Sequence, residues 1–218
     1  MPDSVPLRIT RDPAATRDPA ATRQDILDAA TIEFSDHGLT GARIVAIAAR
    51  TRTTVRMIYY YFSSKDGLYR AVLERAYATM RATESGLALD TLPPAEAIQR
   101  LVEFTFDYQE ANPRFARLVT IENINQGAHL AGLDHIRVLN QSVLATIGTV
   151  LARGQAAGQF RADATPVGLH LLMTSFCFFR VANRHTLGTI FGQDPLDPAL
   201  RAPHRAMIVD AVLGYLRG

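Results

Sequence analysis

The segment Arg43-Ile-Val-Ala-Ile-Ala-Ala-Arg-Thr-Arg-Thr-Thr-Val-Arg-Met-Ile-Tyr-Tyr-Tyr-Phe-Ser-Ser-Lys-Asp-Gly-Leu68 decides how the whole chain folds. Over residues 42–50, Ile44, Ile47 and Ala48 recur at the spacing of a short amphipathic helix. Thr51, Arg52 and Thr53 interrupt it with a brief polar turn. A further short helix over 54–60 follows at once. Upstream, Ile26, Leu27, Ala30 and Phe34 share one helical face; Thr22 with Asp25 has the form of a cap, and Gly38 suits the end of that helix. Three short helices with a tight turn between the second and third make a helix-turn-helix. The charges agree. Between Ala42 and Arg70 stand Arg43, Arg50, Arg52, Arg56, Arg70 and Lys65 against Asp66 alone, although the 218-residue chain carries only +2 overall. A basic block on a folded segment is the footprint of a nucleic-acid reader. The modest total argues against sequence-neutral binding, which rests on neutralising phosphates.

Working outward, the stretch Arg11-Asp-Pro-Ala-Ala-Thr16 is repeated as Arg17-Asp-Pro-Ala-Ala-Thr22. Its prolines and lack of large apolar side chains lead us to expect a disordered arm over residues 1–21. Downstream, Ser63 and Ser64 stop the three-helix unit and cap a long fourth helix, with Asp66 three residues after Ser63. That helix runs to about Thr83 with Leu68, Val72, Ala76 and Met80 on one stripe. After a break over 86–94, helices are expected over 94–111, from Asn112-Pro113 onward, over 129–153, over 166–184 and from Asp197-Pro198 to the end. Ile136, Leu139, Val143, Ile147 and Val150 line one seam, and Ile208, Ala211, Val212 and Tyr215 another. Nothing alternates like a strand. The expectation is an all-α chain of about nine helices, with a helix-turn-helix domain over 22–68 and a larger helical domain over 69–218.

The reading segment resembles the DNA-binding domain of the tetracycline-repressor (TetR) family over residues 23–70. The likeness includes Ile26-Leu27, Ala29-Ala30, Phe34, Gly38, Ile47-Ala48, the run Tyr59-Tyr-Tyr-Phe62, Lys65 and Leu68. Tyr-x-Tyr-Phe followed by x-x-Lys-x-x-Leu, directly after a helix-turn-helix pattern, is a specific signature. The resemblance implies a dimeric regulator of double-stranded operator DNA. Recognition helices present their N-terminal residues to base edges in the major groove, here Thr54, Val55, Arg56 and Met57. Arg56 can fork onto guanine O6 and N7, and Val55 or Thr54 can meet a thymine methyl. By resemblance, Tyr60, Lys65 and Arg43 grip phosphates, and Thr53 and Tyr61 complete the expected contact set. Lys65 is the only lysine in the chain. Tyr59 and Phe62 are expected in the core. One departure concerns the turn, where the family usually carries Gly-Val and this chain has Arg52-Thr53. Glycine suits a positive φ there, so its replacement costs roughly 1 kcal/mol, while Arg52 gains the option of a phosphate contact.

For the larger domain the resemblance implies an effector pocket and a dimer formed by the last two long helices, over 166–184 and 199–217. Leu171, Leu172, Phe178 and Val181 need cover, from a second copy or from the chain's own core. The string Asn112-Pro-Arg-Phe, Ile-Glu-Asn123 and Gly-Ala-His-Leu130 resembles a branch of the family that senses small nitrogen-containing catabolites such as pyrimidines or nicotinate. Expected ligand contacts are Glu122, Asn123, Gln126 and His129 within an apolar frame. Phe104, Tyr108, Phe176 and Phe179 are candidate walls, with core packing the alternative for each.

Other chemistries find no support. His37, His129, His135, His170, His185 and His204 lack metal-ligand spacing, and neither a phosphate-cradling glycine loop nor a nucleophile elbow occurs. Cys177, the single cysteine, sits between phenylalanines like a small hydrophobe, precludes an intrachain disulfide and fits a reducing compartment. We therefore expect no metal, no cofactor and no enzyme. The longest apolar stretch, 169–182, is broken by His170, Thr174, Ser175 and Arg180 and is shorter than the ~20 residues that span a bilayer. No leader is legible at the start. A soluble cytoplasmic protein without membrane partners is expected, a repressor released by its effector, although an activator of the same fold would share every feature.

Overall fold

The structure, a computed structural model, describes residues 18–217. Ten α-helices and one 3-10 turn make up its regular structure, and no strand occurs among the described residues. The helices are α1 (Pro19–Gly41), α2 (Ile44–Thr51), α3 (Val55–Phe62), α4 (Lys65–Ser85), α5 (Pro94–Ala111), α6 (Pro113–Ile124), α7 (Asp134–Ala156), α8 (Pro166–Ala182), α9 (Arg184–Phe191) and α10 (Pro198–Arg217), with the 3-10 turn Leu89–Thr91 between α4 and α5.

Helix α1 starts three residues before the expected Thr22 cap. Asp18 accepts a hydrogen bond from the Ala20 N–H at 3.0 Å, and Pro19 takes the first turn, where proline's missing donor costs nothing. The second copy of the repeated word thus begins a helix; the rest of the expected arm, residues 1–17, lies outside the described residues. Gly38 breaks the helix at φ +68°, and a short turn carries on to Gly41.

Two apolar cores organise the chain. Ile26, Leu27, Phe34, Ile47, Ile58, Phe62, Leu68, Tyr69 and Val72 bury one another across α1 to α4, and Leu118 of α6 joins them. The second core takes Ile98, Leu101 and Phe106 from α5, Val143, Ile147 and Val150 from α7, Leu169, Met173 and Cys177 from α8, and Ile208, Val212 and Leu216 from α10. Helix α4 packs on α1 and α3 at its start and on α5 and α7 further along. Polar ties fix it to its neighbours: Arg75 reaches Asp28 and Thr31 on α1 at 2.6 and 2.8 Å, and His135 of α7 meets Glu74 at 2.9 Å. Helix α6 lies against α1, where Arg117 pairs with Asp36 at 3.0 Å.

Two further features differ from the sequence expectation. Helix α7 begins at Asp134, not near His129, because residues 125–133 fold into successive turns with positive φ at Gln126, Gly127 and Gly132. Helix α9 was not expected; Asn183 separates it from α8, and none of its residues is buried.

Candidate nucleic-acid interface and effector cavity

The reading head is built on buried supports. Glu33, 3% exposed, accepts the Arg43 N–H at 3.1 Å and so anchors the start of α2. Thr51 is buried, and its hydroxyl bonds back to Ile47 O at 3.0 Å. Arg52 follows in the left-handed region at φ 52°, ψ 33°, the position where the family resemblance places glycine. An L-residue pays about 1–2 kcal/mol there. Arg52→Gly should therefore raise thermal stability by up to about 1 kcal/mol, measured as an increase in the melting midpoint.

Thr54 caps α3, its hydroxyl accepting the Met57 N–H at 3.2 Å. That side chain is committed to the backbone, and Val55 is half-buried against the core. Arg56 is exposed, as are Arg43 and Arg52; Thr53 and Met57 are half-buried. Tyr60 stands 77% exposed, with Tyr61 edge-on to it at 5.4 Å and itself leaning on the core. Phe62 is buried as expected, under the guanidinium of Arg23 at 5.1 Å. Tyr59 is not: at 43% exposure it lies on the outer face, because Ile58 and Phe62, four residues apart, already fill the inward stripe of an eight-residue helix. Lys65, at the first position of α4, donates to Thr40 O at 3.2 Å, tying α4 to the end of α1. The head thus offers Arg52, Arg56 and Tyr60 on one exposed segment.

Ser64 caps α4 by accepting the Gly67 N–H at 2.9 Å. The α3–α4 corner is so tight that a Cβ at Gly67 would lie 2.2 Å from Phe62 O.

The larger domain contains an open cavity of about 390 Å³ bordered by α4, α5, α6, α7 and α8. Tyr77, Phe115 and Phe178 provide aromatic walls, and Arg81, Gln109 and His170 join Asn123, Asn140, Thr174 and Ser175 in the polar lining. Burial and the nearby Arg81 charge push the His170 pKa down, so the imidazole is neutral. Burial also raises Tyr77.

Only one of the ligand contacts expected from sequence, Asn123, lines this cavity. Glu122, 2% exposed, instead accepts the backbone N–H groups of His129 and Leu130 at 2.7 and 3.2 Å and meets His129 Nδ1 at 3.1 Å. The His129 ring stands edge-on to Tyr69 of α4, centroids 5.1 Å apart. These two residues hold the 125–133 turns onto the reading-head core, while Gln126 is exposed within those turns. Tyr108 borders a different cleft, between α1, α4 and the α5–α6 corner, with Phe104 against it at 5.6 Å. Phe176 packs edge-on to His204 at 5.8 Å, and Phe179 is 54% exposed. Sequence reasoning missed Tyr77, Arg81 and Gln109; a lone arginine one turn after Tyr77 on the buried side of α4 was the available signal.

Among the described residues no three potential ligands cluster to hold a metal, and no helix is long and apolar enough to cross a membrane. Cys177 is fully buried and its thiol is pushed up to about 12 by burial, which leaves it unreactive.

Comparison with known proteins agrees with this geometry. The family model for bacterial regulatory proteins of the tetR family matches residues 26–72, and that for the tetracyclin repressor-like C-terminal domain matches 94–212. The chain is 37% identical over 193 residues to the HTH-type transcriptional repressor NicS of Pseudomonas putida, covering 88% of this chain and 91% of that one. It is 32% identical over 97 residues to the HTH-type transcriptional regulator RutR of Escherichia coli, covering 44% and 45%. A solved transcriptional regulator of Streptomyces coelicolor, SCO4942, superposes with a TM-score of 0.67 at 27% identity, over 90% of this chain and 99% of that one. With both domains matched and a helix-turn-helix presented on a buried frame, the chain belongs to the TetR family of DNA-binding transcriptional regulators.

Proposed function

We propose that the protein is a homodimeric repressor that reads a two-fold operator with α3 and leaves it when a small molecule fills the cavity between α4 and α8. The observation that carries the reading is the exposed α3 segment itself, with Arg56 and Tyr60 held outward by the buried Ile58 and Phe62. Arg56 reads a base edge; Tyr60, Arg43, Arg52 and the N-terminus of α4 take phosphates and set register. Acting on operator DNA, it works in the cytoplasm.

A two-fold operator needs two reading heads about 34–36 Å apart. The surface that supports pairing is the stripe Val167, Leu171 and Phe179 on α8, each more than half exposed, with Met207 on α10. Of the residues expected to need a partner from sequence, Leu171 belongs to this stripe. Val181 and Leu172 pack within the chain's own core, and Phe178 lines the cavity.

Effector control needs a ligand that prefers one spacing of the heads, and a coupling of ~1–3 kcal/mol is typical. The support for this route is that α4 and α6 each touch both the cavity and the reading-head core. Whether the ligand is one of the nitrogen-containing catabolites suggested by the Asn112–Leu130 string is part of the proposal.

The test is a gel-shift titration of the protein on DNA flanking its own gene, against unrelated competitor DNA. Specific retardation is expected, weakened about 10- to 100-fold by Arg56→Ala, since a good bidentate base contact is worth ~1–3 kcal/mol. Tyr60→Phe should weaken specific and non-specific binding alike, by a few-fold. If Arg56→Ala binds the retarded fragment as tightly as the parent, the assignment of α3 as reading helix is wrong.

A further inference from the structure

Three buried polar atoms around the α4–α8 cavity have no protein partner: Arg81 Nε, Gln109 Oε1 and His170 Nδ1. Arg81 and Gln109 are only 8% and 3% exposed. Buried polar groups are nearly always hydrogen-bonded, so three orphans on one cavity wall point to a ligand's polar atoms. The guanidinium is occupied unevenly. Its Nη1 meets Glu84, one turn along α4, and its Nη2 has only the Met80 sulfur at 3.6 Å, which leaves the Nε–Nη2 edge to a side-on carboxylate. No aspartate or glutamate lines this cavity. Glu84 lies on the other side of Arg81, in a second hollow of about 350 Å³ bordered by the 3-10 turn and α7.

We propose that the effector is a small single-ring organic anion whose carboxylate takes the Nε–Nη2 edge of Arg81, on the same guanidinium whose Nη1 holds Glu84, and which donates a hydrogen bond elsewhere to Gln109. This rests on the reading of the cavity as the effector site. The size follows from the volume: about 390 Å³ is near the lower limit of the ~300–1,000 Å³ usual for ligand sites. The ring stacks among Tyr77, Phe115 and Phe178, which the cavity presents with Phe115 edge-on to Tyr77 at 5.3 Å. The donor follows from Gln109, whose unpartnered atom is an acceptor. Neutral His170 adds no competing charge. Burial already raises the Glu84 carboxyl even beside Arg81, so the repulsion between the two carboxylates has a route to relief by Glu84 taking a proton. The shared guanidinium gives the ligand a grip on the last turns of α4, the helix that begins beneath the reading head.

The test is titration calorimetry on the full chain with a set of single-ring acids and their uncharged amides, benzoate with benzamide and 4-hydroxybenzoate with its amide among them. Acids are expected to bind at least tenfold tighter than their amides, and the hydroxylated acid tighter than benzoate. Arg81→Gln should erase the acid preference, and Glu84→Gln, which removes the opposing negative charge, should tighten acid binding several-fold. A purely structural ion pair would instead make both variants weaker binders. Should Arg81→Gln fail to fold, Arg81→Lys and Glu84→Gln still decide the matter. Amides that bind as well as acids, or a Glu84→Gln variant that gains nothing, overturn the proposal, as does a set in which no acid binds below millimolar concentration. Asn123→Trp, which fills the cavity from α6, separates the two readings. If it abolishes the binding of a neutral ligand, the cavity stands and the anion falls; if acids still bind it undiminished, the cavity itself is the wrong site.

Discussion

Gly67→Ala is expected to destabilise the reading head by about 3 kcal/mol and to cost at least tenfold in operator affinity. The reason is local and geometric. The chain turns from α3 into α4 through Ser63, at φ 64°, and Ser64, whose hydroxyl caps Gly67 N–H at 2.9 Å. An added methyl at Gly67 would meet the backbone carbonyl of Phe62 at 2.2 Å, and backbone cannot swing aside as a flexible side chain can. Forced overpacking of this kind costs ~1–3 kcal/mol and occasionally more. The relief available is a shift of the α4 N-terminus away from α3, which breaks the Lys65 tie to Thr40 O and carries the helix-end N–H groups out of the register proposed for phosphate. Gly41→Ala is the control in the same module, because its methyl would meet only His37 Cβ at an ordinary 3.5 Å. Thermal melts should separate the two variants by several degrees, and near-identical midpoints would show that the corner has slack.

Glu122→Ala should be comparably damaging, by about 2–4 kcal/mol. Glu122 accepts the His129 N–H, shares the Leu130 N–H with Gly127 O at 3.1 Å, and also meets His129 Nδ1. Truncation leaves the His129 N–H and ring nitrogen without that partner in a mostly buried place, at roughly 1–3 kcal/mol for each group left unsatisfied. It also frees the His129 ring from its edge-on seat on Tyr69. For a chain of this length each kcal/mol lowers the melting midpoint by roughly 2–4 °C, so a drop on the order of 5–15 °C is expected. Glu122→Gln, which retains one carbonyl acceptor, should recover part of it. If Glu122→Ala melted normally but lost effector response, the ligand role inferred from sequence would regain its place.

The pair Glu122–His129 also explains what the sequence could and could not convey. Helices were legible because their signals are local: Thr54 and Ser64 cap as their residue types suggest, and the stripe Leu68, Val72, Met80 is buried as its period requires. The reading head was legible for the same reason, since Arg56 and Tyr60 project from a helix whose inward face is fixed by Ile58 and Phe62. Tyr59 was misassigned because an aromatic run does not say which of its members meets the core. The cavity is a different kind of object. Its lining comes from five helices, and the polar residues that look like ligand contacts in sequence, Glu122 and His129, satisfy each other and a turn of backbone. Arg81 gave little warning, because one of three arginines on a long helix resembles a solvated surface residue until its burial is known. The start of α1 was obscured by the repeated word, in which the same Asp-Pro pair serves as a helix start in its second copy.

The most direct test of the central claim is selection of bound sequences from a random duplex pool by the purified protein. The account predicts enrichment of one pseudo-palindromic sequence, with half-sites spaced for two α3 helices and with a guanine in each half-site whose preference disappears in Arg56→Ala. Recovery of no common sequence, with or without single-ring acids present, would contradict it.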